Sequence, residues 1–125
     1  MGGRVTPAPA GKEAVQEPLI VEFARLLRER YGARVYLFGS RARGTAHPES
    51  DYDLVAVAEA FGQQSVFERA LDRRKLWRQA GGWEIGLDLH CYTPSEFRRE
   101  LEGLGYLGQA KRRGELIEVK ARRVA

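Results

Sequence analysis

Cysteine occurs once in these 125 residues, at Cys91. An internal disulfide is therefore excluded, and with only two histidines no Cys/His cluster has the spacing of a zinc site, so a reducing cytoplasm is the expected setting. Long apolar runs are missing as well. No stretch approaches the ~18 residues of a membrane span, and the opening "MGGRVTPAPAGKEA" lacks the apolar core of a signal peptide, which predicts a chain neither embedded nor exported. Charge of one sign is in short supply: the net formal charge is +4, small beside 38 charged side chains. That balance permits contact with nucleotides, nucleic acid or an acidic protein and selects none of them. Aspartate is the scarcest acid. There are four, at positions 51, 53, 72 and 88, and two of them fall in the fifteen residues "GSRARGTAHPESDYD".

With 43% hydrophobic and 30% charged residues the composition is that of one globular domain. Residues 1–14 combine Gly, Pro and Ala without apolar periodicity and are expected to be a leader, followed by a domain over 15–119 and a basic tail over 120–125. Pro18 suits a first helical turn, and Leu19, Phe23, Leu26, Leu27 and Arg30 recur at helical spacing up to Gly32, predicting a helix over 16–31. "RVYLF" predicts a strand over 34–38, and "DYDLVAVA" a second over 51–58. Val66, Phe67, Ala70, Leu71, Arg74 and Trp77 predict a helix over 63–80 that ends on two glycines. "WEIGLDLHCY" alternates strictly, with Ile85, Leu87, Leu89 and Cys91 on one face and Glu84, Gly86, Asp88 and His90 on the other, predicting a strand over 83–92. "TPSEF" has the capping-box arrangement of a helix start; a glycine-interrupted helix and a short strand over 115–119 complete the chain. This order predicts an α/β (α+β) fold, a sheet with helices packed on one face.

In a strand, residues two apart point to the same side ~6.6–7 Å apart, so Asp51 and Asp53 are expected to aim both carboxylates at one place while Tyr52 and Leu54 face the core. Two such carboxylates ~5 Å apart at an effective dielectric of ~20 repel by about 3 kcal/mol, so something positive should lie between them. Arg41 and Arg43 are candidates, in which case the cluster is structural; a divalent ion is another. The strand before the loop ends in Gly39, whose missing side chain lets an anion approach, and Ser40 adds a hydroxyl at the start of a short helix. Mg²⁺ favours carboxylates together with phosphate oxygens, which ties an anion cradle to an acidic pair. If the 83–92 strand neighbours the 51–58 strand, Asp88 joins them, and a pair of Mg²⁺ ions could clamp an in-line phosphoryl displacement.

"LFGSRARGTAHPESDYDLVAV" resembles the signature of the DNA polymerase β nucleotidyltransferase superfamily, Gly-Ser, ten residues, then Asp-x-Asp, and most of all its minimal nucleotidyltransferases; the likeness extends over about residues 16–119. It implies a small mixed sheet, metal binding by Asp51 and Asp53, triphosphate held by Gly39 and Ser40, and a third acid on a later strand, for which Asp88 is the matching position. It also implies two Mg²⁺ ions, ATP as substrate, and transfer of AMP to a hydroxyl. In that family a frequent setting is an antitoxin that modifies a tyrosine of a HEPN-type toxin, so such a protein is the expected partner. Adenylylation of a small molecule, as by kanamycin nucleotidyltransferase, is the alternative, though those relatives usually carry a further helical domain. A binding module that neutralises its partner by contact is another.

Among other residues, Arg41 and Arg43 are candidate phosphate contacts alongside Gly39 and Ser40. His47, in "TAHPE", reads as a solvent-facing turn residue, and His90 as either a structural histidine or a nucleotide contact. Cys91 is expected to face the core. Trp83 and Tyr92 read as packing groups that could also stack on a base, and "RRK", "KRR" and "KARR" as solvated faces, so nucleic acid is compatible as a partner and not favoured; a homo-oligomer is compatible as well.

Overall fold

A computed structural model of the chain describes Gly11 and residues 13–120. Residues 1–10 and 12 of the expected leader, and 121–125 of the tail, lie outside the described residues. At the leader's inner end the expectation shifts: Ala14–Gln16 form a 3-10 turn in which Ala14 is fully buried, so the packed domain starts before residue 15.

Helix α1 spans Pro18–Tyr31, opened by Pro18 and closed by Gly32 at φ 69°, whose N–H donates to the Arg28 carbonyl at 2.8 Å while the Ala33 N–H donates to that of Leu27 at 3.5 Å. Its buried side is Ile20, Phe23, Ala24, Leu26 and Leu27; Leu19 sits at the margin and Arg30 reaches out to Asp72 at 3.3 Å. Strand β1, Arg34–Phe38, leads through the single turn α2, Ser40–Arg43, to β2, Tyr52–Val57. A 3-10 turn at Glu59–Gln63 precedes α3, Val66–Ala80, which Ser65 caps by accepting from the Glu68 N–H. Then come β3, Leu87–Tyr92; α4, Pro94–Glu102, with the expected Thr93/Glu96 capping box; α5, Tyr106–Arg112; and β4, Ile117–Val119.

The four strands form a mixed sheet in the order β3-β2-β1-β4, in which β2 and β3 are parallel and β1 runs antiparallel to both β2 and β4. Alternation divides the side chains between two faces. Val35, Leu37, Tyr52, Leu54, Ala56 and Leu89 pack with α1 and α3 in the larger core. Phe38, Val55 and Val57 face the other way and meet Phe97, Leu107 and Ala110 from α4 and α5. Helices thus cover one face as expected, and α4 and α5 add a partial cover on the second, leaving the β2–β3 end of that face open for Asp53 and Asp88. No helix among the described residues is long and apolar enough to cross a membrane.

Two expectations change around α3. The strand expected over 83–92 begins only at Leu87, because the chain before it is diverted around Trp77. The indole N–H donates to the Ile85 carbonyl at 2.9 Å, a Cβ on Gly82 would overlap the indole ring, and Glu84 sits at φ 62°. Trp83 and Ile85 consequently point to solvent, and Ile85 does not join the core. Leu76 and Trp77, the latter edge-on to Phe23 at 4.9 Å, set which side of α3 faces inward. That orientation turns Phe67 and Arg74 outward, against the expected apolar face. Trp77 therefore anchors both the helix and the entry to β3. Trp77→Ala is expected to cost about 3–5 kcal/mol, measured by urea titration, whereas Trp77→Phe, which keeps most of the packing and loses the indole hydrogen bond, should cost under half of that.

Candidate active site

Strand pairing builds the site. Tyr52 and Leu54 are held in the core, so Asp53 between them must face the opposite side of the sheet; Leu87 and Leu89 do the same for Asp88. The parallel register makes Asp53 and Asp88 direct partners, and both line a cavity of about 580 Å³ on the α4–α5 face. Asp51 lies one residue ahead of β2, at the position that continues the pairing onto Gly86, and the Tyr52 N–H donates to the Gly86 carbonyl at 2.9 Å. A Cβ on Gly86 would collide with the Asp51 carboxylate. Gly86 thus makes room for an acid, a role that sequence alternation alone did not assign. An isolated glycine within a strand pattern is the signal that could have found it, since it often marks a close approach.

Gly39 closes β1 at φ 76° and ψ −155°, a conformation essentially reserved for glycine. Its position is also sterically required, because a Cβ there would overlap the Asp53 carboxylate. The N–H groups of Ala42 and Arg43 fold back onto the Gly39 carbonyl at 3.1 and 3.0 Å, so what this turn offers the cavity is the Ser40 hydroxyl and the exposed Arg43 guanidinium. Gly39, Ser40, Arg43, Asp53 and Asp88 therefore share one cavity with His90 and Tyr92. At the far side it is lined by Glu100, Tyr106 and Gln109, none of which stood out in the sequence, and by Arg113 of "KRR", which had read as a solvated face.

Arg41 is not brought to this cavity. Its side chain is buried, donates to the carbonyls of Ser50 (2.6 Å) and Pro48 (3.3 Å), and lies 3.9 Å from the centroid of the Tyr52 ring. Tyr52 in turn donates to Glu17, and burial together with that carboxylate pushes its hydroxyl up to about 12. The candidate phosphate contact is spent here on the loop. It fixes the chain immediately before and after Asp51, because the loop carbonyls would otherwise be left without donors as the loop packs down.

Partial burial is the first cause that raises the Asp53 carboxyl above its usual range, followed by the Asp88 and Asp51 carboxylates; His90 and Arg43 offset part of this. His90 Nε2 stands 3.5 Å from Asp88 Oδ2, and its ring is stacked over Tyr92. His47 is exposed, with its N–H donating to Ser50 Oγ, as expected of a turn residue. Cys91 packs against the core, and burial pushes its thiol up to about 11.

Among the described residues, no three His, Cys, Asp or Glu side chains are drawn together tightly enough to hold an ion as they stand. The donor chemistry nevertheless fits a hard divalent cation: two carboxylates opposed in register, a third held against Gly86, and mutual repulsion that a cation would relieve. Asp51, Asp53 and Asp88 are the residues that would hold it.

These features agree with the chain's relatives. Residues 20–122 match the nucleotidyltransferase domain family, and the chain belongs to that family. Such domains act by nucleotidyl transfer and generally use nucleoside triphosphates and divalent metals. The crystal structure of a Sulfolobus solfataricus protein named as a nucleotidyltransferase, 24% identical, covers 78% of this chain and 83% of its own with a TM-score of 0.54, which shows the shared fold. No curated protein matches the chain significantly.

Two outcomes are expected here. With its folded-state carboxyl raised above the unfolded value of about 3.9, Asp53 lends stability only below that pH. This contribution is lost as pH rises through the folded-state titration, so at neutral pH the charge destabilises the fold. Asp53→Asn should therefore raise the thermal midpoint at pH 7 in metal-free buffer, with the gap to the native protein closing as pH falls through the folded-state titration towards about 4. Arg41→Met should cost about 1–3 kcal/mol by chemical denaturation, because it takes the donors from the partly buried carbonyls of Pro48 and Ser50.

Proposed function

We propose that this domain transfers AMP from ATP to a hydroxyl of a partner protein, with a tyrosine of a HEPN-type protein as acceptor, in the cytoplasm. The observation that carries this reading is the placement of Asp53 opposite Asp88 beside Gly39 in a cavity of nucleotide size. The exposed Tyr106 and Arg43 on its lining suit an acceptor delivered on another protein's surface.

Gly39 lets Asp53 close against the turn that holds the triphosphate, Ser40 donates a hydrogen bond to that triphosphate, and Arg43 supplies a guanidinium for its negative oxygens. Asp51, Asp53 and Asp88 hold Mg²⁺, two ions in this reading; bound there, the metal supplies neutralisation of phosphate charge. The acceptor oxygen forms a bond to the α-phosphorus as the bond from that phosphorus to the α,β-bridging oxygen breaks. Pyrophosphate leaves with the bonding electrons, and the acceptor proton passes to the Asp88 carboxylate. Asp88 is the most exposed of the paired acids in β2 and β3, which makes it the one an incoming hydroxyl can reach. His90, beside it, is placed to orient that carboxylate.

The test is incubation of the protein with α-labelled ATP, Mg²⁺ and the HEPN-type partner. Label should appear on the partner, and Asp51→Asn or Asp53→Asn should lower its rate by roughly 10²–10³-fold or more. Absence of label, with inhibition of the partner undiminished in both variants, would establish neutralisation by contact in place of transfer.

A further inference from the structure

Helix α3 presents an outer side that the proposed chemistry does not use. Phe67, Arg74 and Arg78 recur at offsets of seven and eleven residues, within ~20° of one line along a helix, and span ~16 Å of its length. Phe67 is 74% exposed. Arg78 lies 5.2 Å from the centroid of the Trp83 ring, itself 64% exposed, which carries the stripe past the helix end to Ile85. A hollow of about 380 Å³ beside it has Arg73, Arg74, Arg78, Trp83, Glu84 and Ile85 among its lining. Large apolar groups on a surface are unexceptional singly; three of them in line with two arginines are not.

The chemistry of the stripe narrows its occupant. Phe, Trp and Arg are the residues enriched at the centres of protein interfaces. Neither Arg74 nor Arg78 is ion-paired among the described residues, and with Arg73, Arg74 and Arg78 set against the single acid Glu84 the hollow keeps a positive excess. A second copy of this chain would set those arginines against themselves in a two-fold contact, and like charges facing each other disfavour it. A nucleic acid could engage the arginines and stack on Trp83, but gives aliphatic Ile85 no role. An acidic protein surface with apolar side chains satisfies all five residues.

The stripe lies on the α3 side of the sheet and the acids on the other, and the two sides meet at the edge strand β3. Ile85 is followed directly by Gly86, against which Asp51 lies, and Asp88 comes three residues after Ile85. We infer that the outer side of α3, with Trp83 and Ile85, docks an acidic surface of the acceptor protein, which passes round the edge strand β3 to bring its hydroxyl to the Asp51–Gly86 end of the site on the other face. This rests on the reading of a protein acceptor given above.

A random copolymer of glutamate and tyrosine, fluorescently labelled, supplies an acidic protein probe with acceptor hydroxyls. Its binding is read by anisotropy at low salt, alongside binding of a fluorescent ATP analogue and far-UV circular dichroism. The native chain should bind the copolymer, more weakly as salt is raised. Arg74→Glu with Arg78→Glu should lower that affinity at least tenfold, and Trp83→Ser severalfold, with nucleotide binding and helicity unchanged. No binding by the native chain, affinities within twofold in the variants, or displacement of the copolymer from this face by tighter-binding oligouridylate would each overturn the inference. Docking through these residues without AMP transfer would remove the catalytic reading and leave the surface standing. Transfer at unaltered rate by the variants would do the reverse.

Discussion

The parallel pairing of β2 with β3 is the constraint on which the rest depends. It sets two carboxylates opposite each other on one face because the apolar residues on the other face, Leu54 with Leu89 and Ala56 with Cys91, are paired in the same register. Strand side chains alternate with a period of two, so a slip of one residue would bury the acids and expose the leucines. Core packing therefore enforces the site. Neighbouring strands lie ~4.8 Å apart, a separation at which two ionised carboxylates repel by about 3 kcal/mol at an effective dielectric of ~20. That cost falls on a fold whose entire stability is of the order of ten kcal/mol, so the acids are tolerated through the packing behind them.

That packing has a polar component as well as an apolar one. Arg41 is the one buried charged side chain among the described residues, and it sits between the loop carbonyls of Pro48 and Ser50 and the face of Tyr52. The loop from Gly44 to Asp51 has no strand or helix of its own to satisfy its backbone. A planar guanidinium with several donors meets that need where a lysine would not. Glycines complete the arrangement from the other side, with Gly39 making room for Asp53 and Gly86 for Asp51.

Much of this was legible in the sequence, and the reasons are specific. The strands at 34–38 and 51–58, the capping box at Thr93 and the acidic face of "LDLHCY" are local patterns with one physical solution each, and the structure has them within a few residues. The placement of Arg41 away from the cavity was not legible because its partners are main-chain carbonyls, which carry no side-chain signature. The start of β3 and the outward side of α3 were misread for a related reason: Trp77 decides both through tertiary contacts, with Ile85 and with Phe23, that spacing along the chain does not encode. The cavity wall from α4 and α5 was invisible because Glu100, Tyr106 and Gln109 converge only through packing of the second core.

Arg69 and Arg73, on the side of α3 that leans over the sheet, reach the edge strand β3, where Arg69 donates to the Cys91 carbonyl at 2.9 Å and Arg73 to that of Leu89. Main-chain acceptors at a sheet margin are what an incoming strand would use to extend it. With those acceptors occupied by guanidinium groups, growth of the sheet by strand addition next to the acids is blocked. Any macromolecule that approaches this end must therefore be gripped by side chains, and the reacting groups stay clear of a neighbouring backbone.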